Sequence, residues 1–368
     1  MNTIGNKGRK DGYRVGMNHG YYLGRCESIR RQIPEPTKVQ WNIRLLYVTS
    51  GLGNPYHPMD LAIIDSLKGC VREVITTLPD HNVASQAALL NPDMVLVLNG
   101  MAFPLEQVDA IRAEGIKTAI WFTDDPYYTD VTTQIAPHYD FIFTLELNCI
   151  PLYQELGCKQ VHYLPFAVDT KDYHPKYVEP FYRKDICFIG TAYSNRLAFI
   201  DVVAPFLSTK SVHISGWWWD RLANYALLAG KIALNDWMTP EKTASFYMGS
   251  KIVLNMHRSI DEESWNSNHI KVPAQSVNPR TFEISGCGTF QLTDIREDIT
   301  RWYKPGEEIA TYSSPEEMIH MIQYYLSHEN ERREIAWNGL KRTLQEHTYP
   351  ARIKQLLTII LGEEGIIN

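Results

Sequence analysis

The residues best suited to chemistry lie in the stretch Asn278 to Asp294, NPRTFEISGCGTFQLTD. Asn278 is a good helix N-cap, and Pro279 suits the first helical position, where a missing N–H costs nothing. The spacing predicts a helix whose free N–H groups and positive dipole end attract an anion, with Arg280 adding a fixed charge. Glu283, less than two turns in, can present its carboxylate to hydroxyl groups such as a ribose diol. Ser285, Gly286 and Gly288 are small enough for this helix to pack closely on the next strand. An exposed first turn bearing an ordinary Glu–Arg pair fits the same spacing, and both readings stand at this level.

A second loop, CFIGTAYSNRLAFI, runs from a strand through Gly190 into a helix that Ser194 or Asn195 can cap. Gly190 permits close backbone approach by a ligand, and Arg196 can reach a phosphate. The loop is neither G-x-G-x-x-G nor a P-loop, which weakens dinucleotide and triphosphate readings; a plain strand–helix turn is the alternative. A third cluster is VLNMHRSIDEESWNSNHIKVPAQSVNPR, where a strand ends in Asn255, His257 and Arg258 and a long polar loop follows. Loops of this length are uncommon and often functional or mobile. His257, Arg258, His269 and Lys271 can close over a phosphate or lie solvated on the surface.

Nearer the N-terminus, TSGLGNPYHPMD places Tyr56, His57 and Asp60 after a first strand, and WFTDDPYYTD places Asp124 and Asp125 at the end of a later one. A carboxylate there can act as a general base, with His57 as the reserve candidate. Asp-Pro also forms turns, so structure accounts for at least one of the two aspartates. The pair is not D-x-D and has no further carboxylate or His beside it, which argues against a metal site. GWWWDR (Trp217 to Trp219) reads as core or interdomain packing ahead of a sugar-stacking surface.

Those loops must hang on regular elements. From Ile43 the chain alternates Val/Ile/Leu-rich strands with helices, and the same grammar restarts at Asp185, which predicts an α/β protein with parallel sheets covered on both faces. The Pro-rich segment VDTKDYHPKYVEPFYR (168–183) marks the join. The expected units are an arm at 1–40, a Rossmann-like domain at 41–168, a second at 169–347 and a final segment at 348–368. In the arm, Gly12, Gly16, Gly20 and Gly24 recur every fourth position. That spacing suits close helix contact, including a homo-oligomer contact, although a glycine-weakened, partly frayed arm is the preferred reading. In such sheets ligands sit at the carboxyl ends of strands, which is where the candidate residues fall.

A net charge of −6 gives no bulk drive toward nucleic acid or an anionic membrane. The six cysteines form no C-x-x-C pair and read as small buried residues in a reducing compartment. No apolar run approaches the roughly 18 residues of a membrane helix, and no signal peptide follows the basic start. The expectation is a cytoplasmic protein.

Taken together, NPRTFEISGCGTFQLTD, LPFAVDTKDYHP, CFIGTAYSNR, WFTDDP and the ending LQEHTYPARIKQLL resemble the CgeB-like spore-maturation glycosyltransferases of Bacillus-type bacteria. The similarity runs from Ile43 onward. It implies a GT-B fold, two Rossmann-like domains facing a central cleft, with a nucleotide-sugar held mainly by the second and the last helix crossing back to the first. It implies a UDP-sugar as the first donor to consider, an unknown acceptor, no cofactor or metal, and a possible association with the spore. Glu283 matches the second Glu of an E-x7-E motif, the one on the ribose, while Gln275 stands where the first, near the donor sugar, is expected. By the same resemblance Arg196 and Arg280 hold the diphosphate, and Gly190, Asn195, His257, Arg258 and Thr281 complete the donor site. Gln275 leaves the stereochemical outcome open. It keeps an inactive GT-B-shaped binding protein in view, beside a nucleotide-sugar epimerase sharing the fold.

Overall fold

Near-continuous runs such as MVLVL (94–98), all five residues buried, can only be central strands covered on both faces. The computed structural model describes residues 2–34, 40–262, 264–362 and 366–367. Met1 and residues 35–39 of the expected arm, Glu263 of the long loop, and 363–365 and 368 of the expected final segment lie outside the described residues.

The first sheet contains β1 (Gln40–Val48), β2 (Val71–Thr77), β3 (Met94–Leu98), β4 (Lys117–Trp121), β5 (Phe141–Thr144) and β6 (Gln160–Tyr163). They run parallel in the order β2-β1-β3-β4-β5-β6, in register at Leu45↔Met94 and Ala119↔Phe141. The second contains β7 (Lys184–Ile189), β8 (Val212–Gly216), β9 (Ile232–Leu234), β10 (Ser250–Asn255), β11 (Gln291–Asp294) and β12 (Ala310–Tyr312). Its order is β12-β11-β10-β7-β8-β9, also parallel. A short β13 (Ile366–Ile367) pairs antiparallel with the start of β1 at Trp41. The α/β, two-sheet GT-B architecture expected from the sequence is what the chain adopts.

The helices, in chain order, are α1 (Asn2–Gln32), α2 (Tyr56–Cys70), α3 (Val83–Leu90), α4 (Leu105–Ala113), α5 (Thr129–Ile135), α6 (Cys149–Glu155) and α7 (Ser194–Ser208). Then come α8 (Tyr225–Leu228), α9 (Pro240–Gly249), α10 (Arg280–Gly286), α11 (Ile299–Trp302), α12 (Pro315–Ser327), α13 (Glu329–Glu346) and α14 (Tyr349–Leu361). Residues of α3, α4 and α6 build one core of the first sheet, and residues of α2 and α14 build another. Residues of α7 and α12 contribute to the main core of the second sheet, while α9 and α10 supply a separate cluster with Cys187 and Val253. All six cysteines are buried and unpaired.

The arm differs from the frayed segment expected: it is a helix through Gln32. Its glycines make no close contact, since nothing lies within 4 Å of where a Cβ would stand at Gly12, Gly16, Gly20 or Gly24. The holding contacts are on other residues. Cys26 and Ile29 bury against Leu340, and Tyr22 stacks on Trp337 at 5.4 Å between centroids. Tertiary packing of this kind offsets the helix cost of glycine.

The chain leaves the first sheet through 164–183 and touches its own return there, Val168 donating to His347 and accepting from Tyr349. α14 then lays Ile353, Leu356 and Leu357, all fully buried, on the first core. Ile353→Ala should therefore cost about 2–5 kcal/mol, more than a partly exposed helix end would. Chemical denaturation should show it as a lower midpoint at unchanged slope.

Candidate active site

The order of the second sheet reverses between β7 and β10, the point where an open α/β sheet leaves a crevice at its strand ends. Gly190 leaves β7 here, and its backbone is held from three sides. Its N–H donates to Ser215 at 2.8 Å, its carbonyl accepts from Trp219 Nε1 at 2.8 Å, and Gly216 packs flat against it. A Cβ on Gly216 would sit 2.2 Å from that carbonyl oxygen, so only glycine permits this approach. Trp219 is thus a fully buried core residue, while Trp218 stacks on Trp265 at 4.3 Å.

On the neighbouring side stands α10. Asn278 Oδ1 accepts the Thr281 N–H at 3.1 Å, the capping bond expected of an Asn there. Arg280 then points its guanidinium at Gly190, where an added Cβ would lie 3.3 Å from both of its terminal nitrogens and 3.1 Å from Arg196 Nη1. Among the described residues Arg280 makes neither a hydrogen bond nor an ion pair, and its Nη1 is buried without a partner. Glu283, one turn on, likewise receives no hydrogen bond; burial pushes its carboxyl up to about 7 against the pull of Arg280. A cation and a carboxylate left unsatisfied side by side are costly unless a ligand completes them.

Other expected ligands are turned inward. His257 accepts the Asn278 N–H at Nε2 (3.0 Å) and faces Asp294 Oδ1 from Nδ1 (2.6 Å), so the proton sits on Nδ1 and the ring has nothing left for a phosphate. Burial holds His257 down at about 4, while Asp294 stays at about 2 because the stabilising pull of His257 and Arg296 exceeds the cost of burial. Thr281 is fully buried, bonded to Asn255 and Asn278. Asn195 ties α7 to the His257 carbonyl at 2.9 Å. Arg196 spends both terminal nitrogens on carbonyls, Thr191 (2.8 Å) and Met256 (2.6 Å), leaving only a buried Nε unpartnered. Arg258 is packed between Tyr193 (4.4 Å) and Tyr127 (4.7 Å) and donates from Nη2 to Trp265 O, with its Nε buried and unpartnered. These residues build the wall that supports Gly190 and Arg280, where contact with a donor had been expected of each.

The first domain separates its two aspartates. Asp125 is buried and accepts from Thr144 (2.6 Å), Tyr153 (2.8 Å) and Thr132 (3.2 Å), and burial raises it to about 6. It anchors the turn. Asp124 accepts from Tyr56 (2.9 Å) and Thr123 (2.5 Å) on Oδ2 alone; burial raises its pKa, and Oδ1 receives no bond. His57 is exposed and lines neither cavity of the cleft, whereas its neighbour Tyr56 does.

Two connected cavities occupy the cleft. The larger, about 360 Å³, lies between Tyr56, Met59 and Asp124 of the first domain and Trp237, Tyr247 and Glu283 of the second. The smaller, about 170 Å³, is bounded by Asp125, Glu146, Arg196 and Arg258. Asp124 and Arg280 line both. The arrangement can hold a polyol with an anionic tail: hydroxyls at Glu283, anion at Arg280, and a carboxylate at the junction. Among the described residues no group of three or more His, Cys, Asp or Glu is placed to hold a metal ion.

Sequence reasoning passed over Glu146, buried at 2% exposure at the end of β5, which accepts the Gln275 and Ser276 N–H groups at 3.0 Å each. It also passed over Asp294, at the end of β11. The strand-end rule applied to Asp124 would have found both. Gln275 hydrogen-bonds Asn148 at 2.8 Å and lines neither cavity.

Residues 197–358 match a family model described as Glycosyl transferase-like. The chain is 28% identical over 322 residues to Spore protein CgeB of Bacillus subtilis (strain 168), covering 85% of this chain and 98% of that one. Among solved structures, Anabaena Alr3699/HepE in complex with UDP and glucose matches with TM-score 0.60 at 8% identity, over 87% of this chain and 99% of its own. Sucrose-phosphate synthase from Thermosynechococcus elongatus matches with TM-score 0.58 at 10% identity, over 86% and 98%. The chain is thus similar to a spore protein over most of its length, resembles the glycosyl transferase-like family over residues 197–358 and has the GT-B fold.

A neutral His257 makes acid destabilising. Its folded pKa of about 4 lies below the ordinary imidazole value of 6.5, so the unfolded chain binds the extra proton and stability falls as pH drops from 6.5 toward 4. The loss from His257 is about 3 kcal/mol. The Asp294 contribution is lost only below 3.8, outside that window. Between pH 7 and pH 4.5 the denaturation midpoint of the parent should therefore fall relative to that of His257→Gln measured at the same two pH values. Glu283 and Asp125, both raised, act in the opposite sense over the same range, so the test is the difference between the two proteins: the same pH dependence in parent and His257→Gln would contradict the assigned tautomer.

Proposed function

We propose that the chain transfers a sugar from a nucleotide-sugar donor to an acceptor hydroxyl entering from the first-domain side of the cleft. The observation that carries this is the Arg280–Glu283 pair, the two cleft-facing charged groups of α10, neither with a protein partner, set against Gly190 at the switch point. Glu283 accepts the ribose hydroxyls, and Arg280, with Arg196 behind it, meets the diphosphate. UDP is the first nucleotide to test, supported by HepE having been solved with UDP and glucose.

In the step proposed, the acceptor oxygen attacks the anomeric carbon of the donor sugar. The bond from that carbon to the phosphate oxygen breaks, its electron pair leaves on the nucleoside diphosphate, and the acceptor proton passes to Asp124. Fixed guanidinium charge aimed at the leaving phosphate lowers the barrier, which gives Arg280 the task, with the charge of Arg196 behind it, without requiring a metal. Oδ1 of Asp124 is the oxygen left free for the proton, at the junction of the two cavities. A second reading, donor binding without turnover, is favoured by Gln275, which bonds Asn148 and is absent from the cavity lining. Release of free nucleotide from a donor panel separates the two.

Nucleotide affinity should rise with pH through about 7, because the carboxyl raised to about 7 must ionise to accept two hydroxyl protons. Glu283→Gln should weaken UDP binding about 10–100-fold and remove that rise, with the fold intact. Calorimetric titration at pH 6 and pH 8 decides this, and a Gln variant matching the parent at both sinks the ribose assignment.

Asp124→Asn should cut turnover about 10²–10⁴-fold while donor affinity stays close to the parent value. Steady-state kinetics and a binding titration on the same preparation give both numbers. Turnover within a few-fold of the parent would put the proton elsewhere.

A further inference from the structure

At the opposite ends of the second sheet's strands from the cleft, α1 and α13 close over the start of β10 and the residue before β11. A cavity of about 150 Å³ lies there, sharing no lining residue with the cleft. Its charged lining is His19, Lys176, Lys251, Glu329, Arg332 and Arg333: four cations to one carboxylate, in a chain whose net charge is −6.

Two of the four cations are already paired, Arg333 with Glu329 at 2.5 Å and Lys251 with Asp185 at 2.7 Å. The other two are not. Lys176 Nζ donates to the Glu241 carbonyl at 3.1 Å and, among the described residues, makes no ion pair, Asp172 acting on it only at longer range. Arg332 is 6% exposed, gives Nη1 to the Tyr325 carbonyl and, among the described residues, makes no ion pair. Its Nε and Nη2, the edge with which a guanidinium grips two oxygens of one anion, take no protein acceptor among those residues. Arg332 lines the cavity, and this edge is the part of its side chain left for a ligand. Burial lowers the pKa of Arg332, and Arg333 lowers it further, against the pull of Glu329 and Asp185, neither of which makes an ion pair with it. Burial lowers the pKa of His19, and Arg183 and Arg333 lower it further; burial lowers that of His174, and Arg30 and Lys176 lower it further.

We propose that this cavity binds a small multivalent oxyanion of the phosphate class, gripped by the Nε–Nη2 edge of Arg332 and by Lys176. The bound anion joins α13 and the 176–178 segment beneath His19 and Tyr22, and so braces α1 against the second domain. This site is independent of the donor reading.

Titration of the full chain with pyrophosphate tests it, because pyrophosphate addresses both this cavity and the cleft. Arg280→Gln, which disables the cleft, should leave one binding event of parental affinity. Lys176→Gln should weaken that event by at least about tenfold, and Arg332→Gln by at least as much. Arg332 also holds the Tyr325 carbonyl, so Lys176→Gln, which disturbs one carbonyl contact near the surface, is the deciding variant. Pyrophosphate should also slow amide exchange across residues 19–29 in the parent and in Arg280→Gln. If Arg280→Gln abolishes all pyrophosphate binding while Lys176→Gln binds as the parent does, the cavity takes no anion and the proposal fails.

Discussion

The loop from Met256 to Pro279 follows a strand of the second sheet, yet its middle and end are hydrogen-bonded to the first domain, and the geometry of the cleft depends on that. Glu146 accepts two of its backbone N–H groups, Asn148 donates to Pro273 O and Gln275, and Thr129 and Asp130 hold Asn268, Ser267 and His269. Val272 is buried in the core beneath the first sheet. The loop ends directly at α10, so a carboxylate of one domain sets where Arg280 and Glu283 of the other begin. Interdomain contacts inside one chain are often small and mobile. Here buried backbone N–H groups must find acceptors, and they find them across the cleft.

Against that frame the distribution of satisfied and unsatisfied charge becomes informative. His257 uses both ring nitrogens internally, Asp294 is paired, and Asp125 receives three hydroxyls. Arg196 and Arg258 each spend terminal N–H groups on carbonyls. The polar groups around the crevice therefore lock one another in place, which keeps the wall rigid. Arg280 and Glu283 are the exceptions, and they sit where the sheet order leaves the crevice. Donors and acceptors fixed before a ligand arrives need no reorganisation during the reaction, and this is what makes such a pair effective in a dry site.

Much of this was legible in the residues. The strand–helix alternation and the strand-end loops follow from apolar runs punctuated by Gly, Pro and Asn. Asn278 as the cap, Arg280 and Glu283 as the charged pair on α10, and Asp124 as a cleft carboxylate were all nameable from position. What failed was the step from residue type to orientation. His257 and Thr281 look like ligands because His and Thr can bind phosphate, but their polar atoms are bonded within the protein, and Arg258 is clamped between tyrosines at the cavity wall. The α1 helix looked too rich in glycine to hold, and Tyr22, Cys26 and Ile29 reverse that by packing on α13.

The sequence by itself determined the two parallel sheets, the placement of loops at strand ends, and a helix starting near Asn278 with Arg280 and Glu283 on it. Periodicity, capping and turn chemistry are local, and local rules reach that far. Tertiary structure alone decided which of Asp124 and Asp125 keeps a free oxygen, that His257 is a neutral clamp, and that Glu146 governs a loop 130 residues away. Those outcomes depend on which buried donors and acceptors are left over once the two domains meet. That remainder is a property of the assembled fold, because a side chain two positions along the chain and one across the cleft compete for the same hydrogen bond.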